Sequence, residues 1–578
     1  MSKLNAHTYR YTTAFALFEA LWEAGITACF VNVGSDHPFI IEAIVKGKRE
    51  RPKAWPRMIT CPSEITAISP DDGYARVSGQ PQAVIIHVDV GTQALGQGVH
   101  NASIGRAPVF IFAGLCPYIE SGELLGSRNE YIQDVPDQEA IVRQYCRYTG
   151  EVRTGLNIKQ SVGRALQFAK GAPKGPVYLT ALYSLDQTQW VPIGPSALPA
   201  DAVIDISTAL VKGKRPLIIT GYSGRDRRTP DLLVALANLV PGIRVHDTGD
   251  SDMCFPSSHS ASEGFRHSFD ECTRDADAIL LLDCDVLWIP SRNPSPKGVK
   301  IYHIDIDPLN QQISVSFFPA HGRWKQFHSS YAVLNDGKYA VRAQEQAQVH
   351  QRRLADIESQ ARIAEEDPLS AHNIGKLLKD ILPRSTTFVI EAGTAAHAIH
   401  DHLQPSRPGS WTHRGATGIG WSNGAALGVK MALKDMEEIG EAGPSLVCYV
   451  VGDGNFMCGA PSSALWVASK YKIPVLTLVL NNGDWKAPRN STALVYPEGL
   501  NQVASDDELN ISFRPTPNYA ALAEAATGSD LRSPESNSNS LWMKGRRVKM
   551  VGELTSALKS GVERVDEQGK GMLIEALM

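Results

Sequence analysis

The chain has 578 residues, of which 43% are hydrophobic and 20% are charged. This length predicts about three domains, because a single domain usually contains roughly 100–200 residues. A net charge of −4 gives no electrostatic case for nucleic acid or an anionic membrane as partner, and no apolar run approaches the roughly 18 residues that span a bilayer. The N-terminal residues lack the apolar core of a signal peptide, so we expect a cytoplasmic protein.

The first two blocks of the chain share one sequence pattern. Residues 1–190 alternate helix-like segments with short β-branched runs such as "AVIIHVDVG", "PVFIFAG" and "PVYLTALYS". Each run ends in glycine or a polar turn, which is typical of a parallel α/β sheet. A proline-rich linker follows, and residues 202–330 then repeat the pattern with "RPLIITG", "AILLLDCDV" and "VKIYHIDIDP".

A charged, helix-like connector at residues 331–367 leads to the last block, residues 368–578. This block contains the apolar runs "TTFVIEAG", "SLVCYVV", "PVLTLVL" and "GMLIEA". Within it, the Ser/Asn-rich stretch 527–544 predicts a flexible surface insertion. The predicted fold class is therefore α/β, with three successive parallel-sheet domains.

Two polar turns follow buried strands in the last block. The run "SLVCYVV" leads into Gly-Asp-Gly at 452–454, and after 26 further residues "PVLTLVL" ends in Asn-Asn at 481–482. Ligands of open parallel sheets bind just past the carboxyl ends of the strands, where glycines let the backbone approach a phosphate. The Asp453 carboxylate, the Asn482 amide oxygen and a turn carbonyl at Asp484 are donors that Mg²⁺ takes together with phosphate. The pattern predicts a magnesium site with these three protein ligands.

The GDG turn, the spacer and the NN pair resemble the diphosphate and metal motif of thiamine diphosphate-dependent enzymes. This family includes acetohydroxyacid synthases, pyruvate decarboxylases, benzoylformate decarboxylases and benzaldehyde lyase. The resemblance extends along nearly the whole chain. It implies that the three blocks are, in order, a pyrimidine-binding, a central and a diphosphate-binding domain, and that the cofactors are thiamine diphosphate and Mg²⁺.

The segment "CPSEITAISPDDGYARVSG" resembles the family's catalytic glutamate and the ADGYAR-type helix after it, and it places Glu64 at the catalytic position. The family's chemistry requires a carboxyl group there. Hydrogen-bonded to a ring nitrogen of the aminopyrimidine, it shifts the cofactor towards the imino form that acts as internal base. A lone glutamate in a helix is usually a solvated surface residue, but the "DDGYAR" that follows favours the catalytic role.

Smaller matches extend the predicted cofactor site. "EAGTAAHA" resembles the turn after the first strand of the family's diphosphate domain, and "HRGATGIGWSNGAALG" resembles the segment along the middle of the cofactor. Ile419 matches the bulky apolar residue beneath the bent cofactor, although core packing would also explain it. Trp485 stands beside the metal motif. The implied cofactor contacts are Gly393, Thr394, Ala395, Gly418, Ile419, Gly452, Asp453, Gly454, Asn455, Asn482 and Trp485.

Two segments of the first block resemble substrate-side positions of benzoylformate decarboxylase. "VNVGSDHPF" places Ser35 at a catalytic position with His37 beside it, and "IIHVDVG" places His87 as an acid/base group. A histidine suits proton transfer, since its unperturbed pKa is about 6.5. A histidine at the end of a buried strand is also often a structural core residue, and the sequence leaves this alternative open.

The resemblance implies a lyase or transferase that cleaves or forms a C–C bond next to a carbonyl, by decarboxylation of a small 2-oxo acid, by carboligation, or by both. The alternatives are an acetohydroxyacid synthase that also carries FAD and a non-catalytic protein that uses the fold for binding. FAD is not favoured, because those synthases usually have "GPG" where this chain has "GTQ". The family's cofactor lies between two subunits, which implies a homodimer or homotetramer.

Overall fold

A computed structural model describes residues 11–34, 36–115, 135–152, 155–181, 198–249, 251–265, 271–284, 293–308, 322–325, 340–527 and 541–578. The chain divides into two compact units, Met1–Ile193 and Gly194–Met578. The first unit contains one six-stranded sheet and the second contains two, and the strands pair in parallel throughout. The predicted fold class, three successive parallel-sheet α/β domains, is confirmed.

The sheet of the first unit has the strand order β2-β1-β3-β4-β6-β5. Its central strands β3 and β4 are completely buried, as their unbroken apolar sequences "AVII" and "FIFA" require. The elements in chain order are α1 (Thr13–Glu23), β1 (Ala28–Asn32), α2 (Pro38–Glu50), β2 (Arg57–Thr60), α3 (Ile65–Ser78), β3 (Ala83–Ile86), α4 (Val90–Ala94), α5 (Gly96–Ile104), β4 (Phe110–Ala113), β5 (Tyr148–Val152), α6 (Ile158–Lys170) and β6 (Val177–Ala181).

The central sheet, the first of the second unit, has the order β12-β11-β10-β7-β8-β9. Apolar side chains of β7 and β10 pack with those of α7 and α8 in its core. The elements are α7 (Ala200–Lys212), β7 (Pro216–Thr220), α8 (Thr229–Leu239), β8 (Arg244–Asp247), β9 (Ser262–Phe265), β10 (Ala278–Leu282), β11 (Lys300–Asp305), β12 (Gly322–Lys325) and the long helix α9 (Ala340–Gln360).

The third sheet has the order β14-β13-β15-β16-β18-β17. Its first helix, α10, begins at a capping box in which Ser370 and Asn373 bond each other's backbone N–H groups. The elements are α10 (Ala371–Ile381), β13 (Thr387–Glu391), α11 (Ala396–Leu403), β14 (Trp411–His413), α12 (Trp421–Glu438), β15 (Val447–Gly452), α13 (Asp453–Cys458), α14 (Pro461–Tyr471), β16 (Leu476–Asn481), α15 (Lys486–Val495), α16 (Tyr519–Ala526), β17 (Met543–Val548), α17 (Val551–Val562) and β18 (Gly571–Leu577).

The structure bears on parts of the predicted domain division. The boundary between the two units along the chain lies in the predicted linker, and α9 lies within the predicted connector. Most of the predicted insertion 527–544 lies outside the described residues, but β17 already begins at Met543, because this side chain is buried in the sheet. The exact domain boundaries stay a prediction. Among the helices in the described ranges, none is both long and apolar enough to cross a bilayer.

Candidate active site

Glu64 stands at the amino end of α3, just after the turn that follows β2. Its Oε1 accepts a hydrogen bond from Asn32 Nδ2 at 3.0 Å and lies 3.4 Å from His87 Nε2. Asn32 ends β1 and His87 follows β3, and these strands are neighbours in the sheet. The Glu64 side chain is 14% exposed. Two polar side chains therefore hold this carboxyl group at the sheet edge, where it is still accessible to a ligand.

His87 is the acid/base group nearest to this carboxyl group. The hydrogen bond to Glu64 raises the pKa of His87, the negative charges of Asp36 and Glu64 act in the same direction, and partial burial opposes them. The imidazole side chain remains 23% exposed. His87 therefore keeps its proton to a higher pH than an ordinary histidine, as a proton donor at neutral pH requires.

We expect the substitution Glu64→Gln to lower the pKa of His87, since the neutral amide no longer favours the imidazolium. Proton titration of ¹³C-labelled histidines by NMR measures this pKa, and His87→Gln assigns its resonance. His100 is the internal control, because burial alone lowers its pKa. An unchanged His87 midpoint in Glu64→Gln would contradict the contact.

The same contact makes stability depend on pH. Since the folded pKa of His87 lies above the unfolded value of about 6.5, the contact stabilises the fold fully below about pH 6.5 and loses this effect as the pH rises through the folded pKa.

Asp36 and His37 lie between β1 and α2, beside His87. Asp36 Oδ2 accepts a hydrogen bond from the Val88 N–H at 3.0 Å, and Asp36 Oδ1 lies 3.6 Å from His37 Nδ1. The Gly34 N–H donates to His37 Nδ1 at 3.2 Å, so the neutral ring carries its proton on Nε2. Burial lowers the pKa of His37, and Nε2 has no hydrogen-bond partner among the described residues. His37 is thus a neutral donor whose buried N–H has no partner in the described part of the chain.

The predicted catalytic Ser35 lies outside the described residues, and its role stays a prediction. Beside it, the Asp36 side chain, which is only 2% exposed, fits between two glycines. A Cβ on Gly34 would lie 2.5 Å from Asp36 Oδ1, and one on Gly114 would collide with Oδ2. Gly114 and Asn32 were not among the predicted site residues. A polar residue ending an apolar strand is the signal that points to Asn32.

Asp453 begins α13 directly after β15, and Asn482 follows β16, the next strand of the sheet. The N–H groups of Gly454 and Gly483 donate to the two Asp453 carboxylate oxygens at 2.8 and 2.7 Å. Burial raises the pKa of Asp453, and the charge of Asp484 raises it further. In the part of the chain that the structure describes, no basic side chain pairs with Asp453. A cation at this edge would therefore stabilise a carboxylate that burial disfavours.

Asn482 and Asp484 complete the predicted set of metal ligands. Asn482 Nδ2 donates to the Asp484 backbone carbonyl at 3.1 Å and to Asp484 Oδ1 at 2.9 Å, so the amide oxygen faces away from Asp484. Lys486 Nζ lies 3.1 Å from Asp484 Oδ2. A carboxylate, an amide and a backbone carbonyl are ligand types that Mg²⁺ takes together with phosphate and water, but in this structure the amide nitrogen, and not the amide oxygen, faces Asp484. Among the described residues, no group of three or more His, Cys, Asp or Glu side chains could hold a metal ion.

The predicted diphosphate contacts lie at the ends of β13 and β15, which are neighbours in the sheet. A short 3₁₀ helix, Gly393–Ala395, follows β13, and Gly393 adopts a φ of 54°, which favours glycine. A Cβ added at Gly393 or at Gly452 would meet no atom within 4 Å. Thr394 is exposed and Ala395 is partly buried. This open, backbone-lined edge suits a diphosphate.

Glu391, which the sequence analysis missed, ties β13 to the glycine-rich segment. Its buried carboxylate accepts the N–H groups of Gly420 at 2.7 Å and Ser422 at 2.8 Å, and burial raises its pKa. Gly420 has a φ of 91°, and a Cβ there would lie 2.5 Å from the Gly459 Cα. Asn455 Nδ2 donates to the Glu391 carbonyl at 2.8 Å, so this predicted diphosphate donor already has a partner. The position of Glu391 at a strand end was its only sequence signal.

The other predicted cofactor contacts differ in exposure. In the turn before α12, Gly418 is buried and Ile419 is partly exposed. The ring of Trp485 covers Gly454, where a Cβ would lie 2.5 Å from Trp485 Cζ3, and it also contacts Phe513. Trp485 therefore packs over the glycine next to Asp453. The first unit thus brings Glu64, His87 and His37 together, and the second unit gathers Asp453, Asn482, Asp484 and the 3₁₀ turn.

Family profiles match both of these regions. Residues 11–141 match a profile described as "Thiamine pyrophosphate enzyme, N-terminal TPP binding domain". Residues 391–541 match one described as "Thiamine pyrophosphate enzyme, C-terminal TPP binding domain". The first match contains Glu64 and His87, and the second contains Asp453 and Asn482. Each predicted centre therefore lies within a profile of the same family.

Similar proteins align over most of the chain. Benzoylformate decarboxylase of Pseudomonas aeruginosa is 24% identical over 500 residues, which are 83% of this chain and 87% of that protein. 2-Hydroxyacyl-CoA lyase 2 of Bos taurus is 24% identical over 490 residues, 74% of this chain and 73% of that protein. The solved structure of the thiamine diphosphate-dependent 4-hydroxybenzoylformate decarboxylase of Rhodococcus jostii has a TM-score of 0.75 at 19% identity and covers 98% of this chain and 99% of its own. The two profile matches and the alignments over most of the chain indicate the thiamine pyrophosphate enzyme family, and the solved structure has the same fold.

Proposed function

We propose that this chain is a thiamine diphosphate- and Mg²⁺-dependent enzyme that decarboxylates a small 2-oxo acid. The observation that carries the proposal is the contact between Glu64 and His87, which puts a carboxyl group and a protonatable imidazole at one sheet edge. The similarity to benzoylformate decarboxylase supports the reaction class and makes an aryl 2-oxo acid the first substrate to test.

When bound, thiamine diphosphate supplies the nucleophilic carbon and the electron sink that decarboxylation needs. The Glu64 carboxyl group would hold a proton towards the bound cofactor, and the Asn32 amide keeps that group in place. His87, whose Nε2 faces Glu64, would donate its proton on the substrate side. His37 offers its unpaired Nε2–H as a neutral hydrogen-bond donor to a carboxylate or carbonyl oxygen of the substrate.

The second unit has the binding role. The Asp453 carboxylate, the Asn482 amide oxygen and the Asp484 carbonyl would hold Mg²⁺, and the backbone around Gly393–Ala395 would bind the diphosphate. Ile419 and Trp485 supply apolar surface at the same edge. FAD has no part in this proposal.

We also propose that the working protein is at least a homodimer, in which Glu64 of one chain and Asp453 of another serve the same site. The support is the family resemblance, because the cofactor of that family lies between two subunits, and the two centres of this chain match the two profiles of the family. A monomer would then contain both Glu64 and Asp453 but would not complete a site.

The test is to offer benzoylformate, pyruvate and a branched 2-oxo acid to the purified protein with thiamine diphosphate and Mg²⁺. We expect CO₂ release from at least one of them, dependent on both cofactors. The organic product then distinguishes two outcomes: an aldehyde identifies a decarboxylase, and an acyloin or hydroxy acid identifies a carboligase. Bound thiamine diphosphate without CO₂ release from any 2-oxo acid would refute the proposal and favour a lyase acting on an activated donor, or a binding role.

A further inference from the structure

A short strap, defined as Ile511, Ser512 and Phe513, runs antiparallel to the turn that contains Asp484. The Trp485 N–H donates to the Ile511 carbonyl at 2.9 Å, and the Phe513 N–H donates to the Gly483 carbonyl at 2.8 Å. Asp484 and Ser512 pair between these two hydrogen bonds. The strap therefore determines where the backbone carbonyl of Asp484 lies.

Two aromatic rings reinforce this pairing. The rings of Trp485 and Phe513 meet edge to face, with centroids 4.8 Å apart and an interplanar angle of 74°. Both rings lie over Gly454, where a Cβ would be 2.5 Å from Trp485 Cζ3 and 3.0 Å from Phe513 Cε2. Aromatic pairs in this arrangement are favourable beyond the area that they bury. Phe513 thus fixes the Trp485 ring, and the two rings together cover the glycine beside Asp453.

The strap and the two rings also contact the two glycines that bind the Asp453 carboxylate. Gly483, which the strap holds through its carbonyl, donates its N–H to Asp453 Oδ2 at 2.7 Å. Gly454, which the rings cover, donates its N–H to Asp453 Oδ1 at 2.8 Å. Both oxygens of the carboxylate are therefore oriented by backbone groups that the strap and its ring hold in place.

We propose that Phe513 is a positioning residue for the cation site, acting through Trp485 and the 483–485 turn on the ligand oxygens of Asp453 and Asp484. The inference rests on the proposed function, because that function places Mg²⁺ at this edge. Phe513 lies outside the GDG and NN motifs, and nothing in the local sequence around it indicated a role. Groups that orient metal ligands usually change metal affinity about 10–100-fold when they are removed.

The experiment is a titration of the full-length protein with Mn²⁺ in the presence of thiamine diphosphate, in which electron paramagnetic resonance measures free Mn²⁺. We expect Phe513→Ala to raise the Kd for Mn²⁺ by about 10–100-fold. Phe513→Tyr keeps the ring and should bind Mn²⁺ as the wild type does. The matched control is Val503→Ala, which changes an apolar side chain that precedes the strap and is 85% exposed. It should have no effect on Mn²⁺ binding.

Three results would overturn the inference, and they are distinguishable. If the wild type binds no Mn²⁺ with thiamine diphosphate, the proposed cation site itself fails. If the wild type binds and Phe513→Ala binds equally well, only the positioning role fails. If the KM for the 2-oxo acid rises at saturating metal while the Kd for Mn²⁺ is unchanged, Phe513 is a substrate contact instead. Should Phe513→Ala not fold, Phe513→Leu tests the same loss of the ring with a smaller change in packing.

Discussion

Replacing Glu64 by glutamine is expected to lower the rate of 2-oxo acid decarboxylation by about 10²–10⁴-fold, the range that a positioned acid/base group contributes. Glutamine has the same size and can still accept the hydrogen bond from Asn32 Nδ2. Unlike the carboxyl group, its amide cannot take up and release a proton. The kcat from CO₂ release at saturating thiamine diphosphate and Mg²⁺ measures the effect.

The control for this variant is Glu42→Gln, which changes an exposed glutamate of α2 in the same unit and should leave kcat unchanged. Calorimetry should show that Glu64→Gln still binds thiamine diphosphate, because the metal and diphosphate groups lie in the other unit. Wild-type kcat in Glu64→Gln would exclude the proposed proton transfer by this residue.

Asp453→Ala is expected to weaken binding of thiamine diphosphate with Mg²⁺ by at least about 100-fold, since removing one partner of a buried charge pair costs roughly 3–5 kcal/mol. Burial raises the pKa of Asp453, so the charged carboxylate is unfavourable in the cofactor-free protein. Loss of that charge should therefore offset part of the loss of its two hydrogen bonds, and the cofactor-free protein should remain folded. Calorimetric titration measures the affinity, and the thermal shift on adding cofactor should disappear.

Mixing the two inactive variants tests where the site is formed. If each site takes Glu64 from one chain and Asp453 from the other, a hybrid dimer of Glu64→Gln and Asp453→Ala has one intact site of two. Random exchange at equal amounts makes half of the dimers hybrids, so activity should return to about a quarter of the wild type. Each variant mixed with itself through the same exchange is the control. Hybrids that form but show no activity would refute the shared site.

The sequence pointed to two groups of candidate residues because their signals are local. Buried parallel strands read as apolar runs, and the polar residue after each run marks the sheet edge where ligands bind. This pattern pointed to Asp453 and Asn482, and the structure places their strands side by side. The family resemblance pointed to Glu64 and His87, whose side chains are in contact. Whether these residues act as proposed stays to be tested by the variants above.

What the sequence by itself determined is the order of helices and strands, the α/β class and the motif residues, because each of these depends on periodicity or spacing within a few tens of residues. Only the tertiary structure decided which residues support them. Asn32 reaches Glu64 because β1 lies next to β2, the Glu391 side chain holds the Gly420 turn across the sheet edge, and the Phe513 ring meets Trp485 through the strap. These contacts join residues of different strands and turns. They arise from strand order and side-chain packing, for which no local pattern of residues carries a signal.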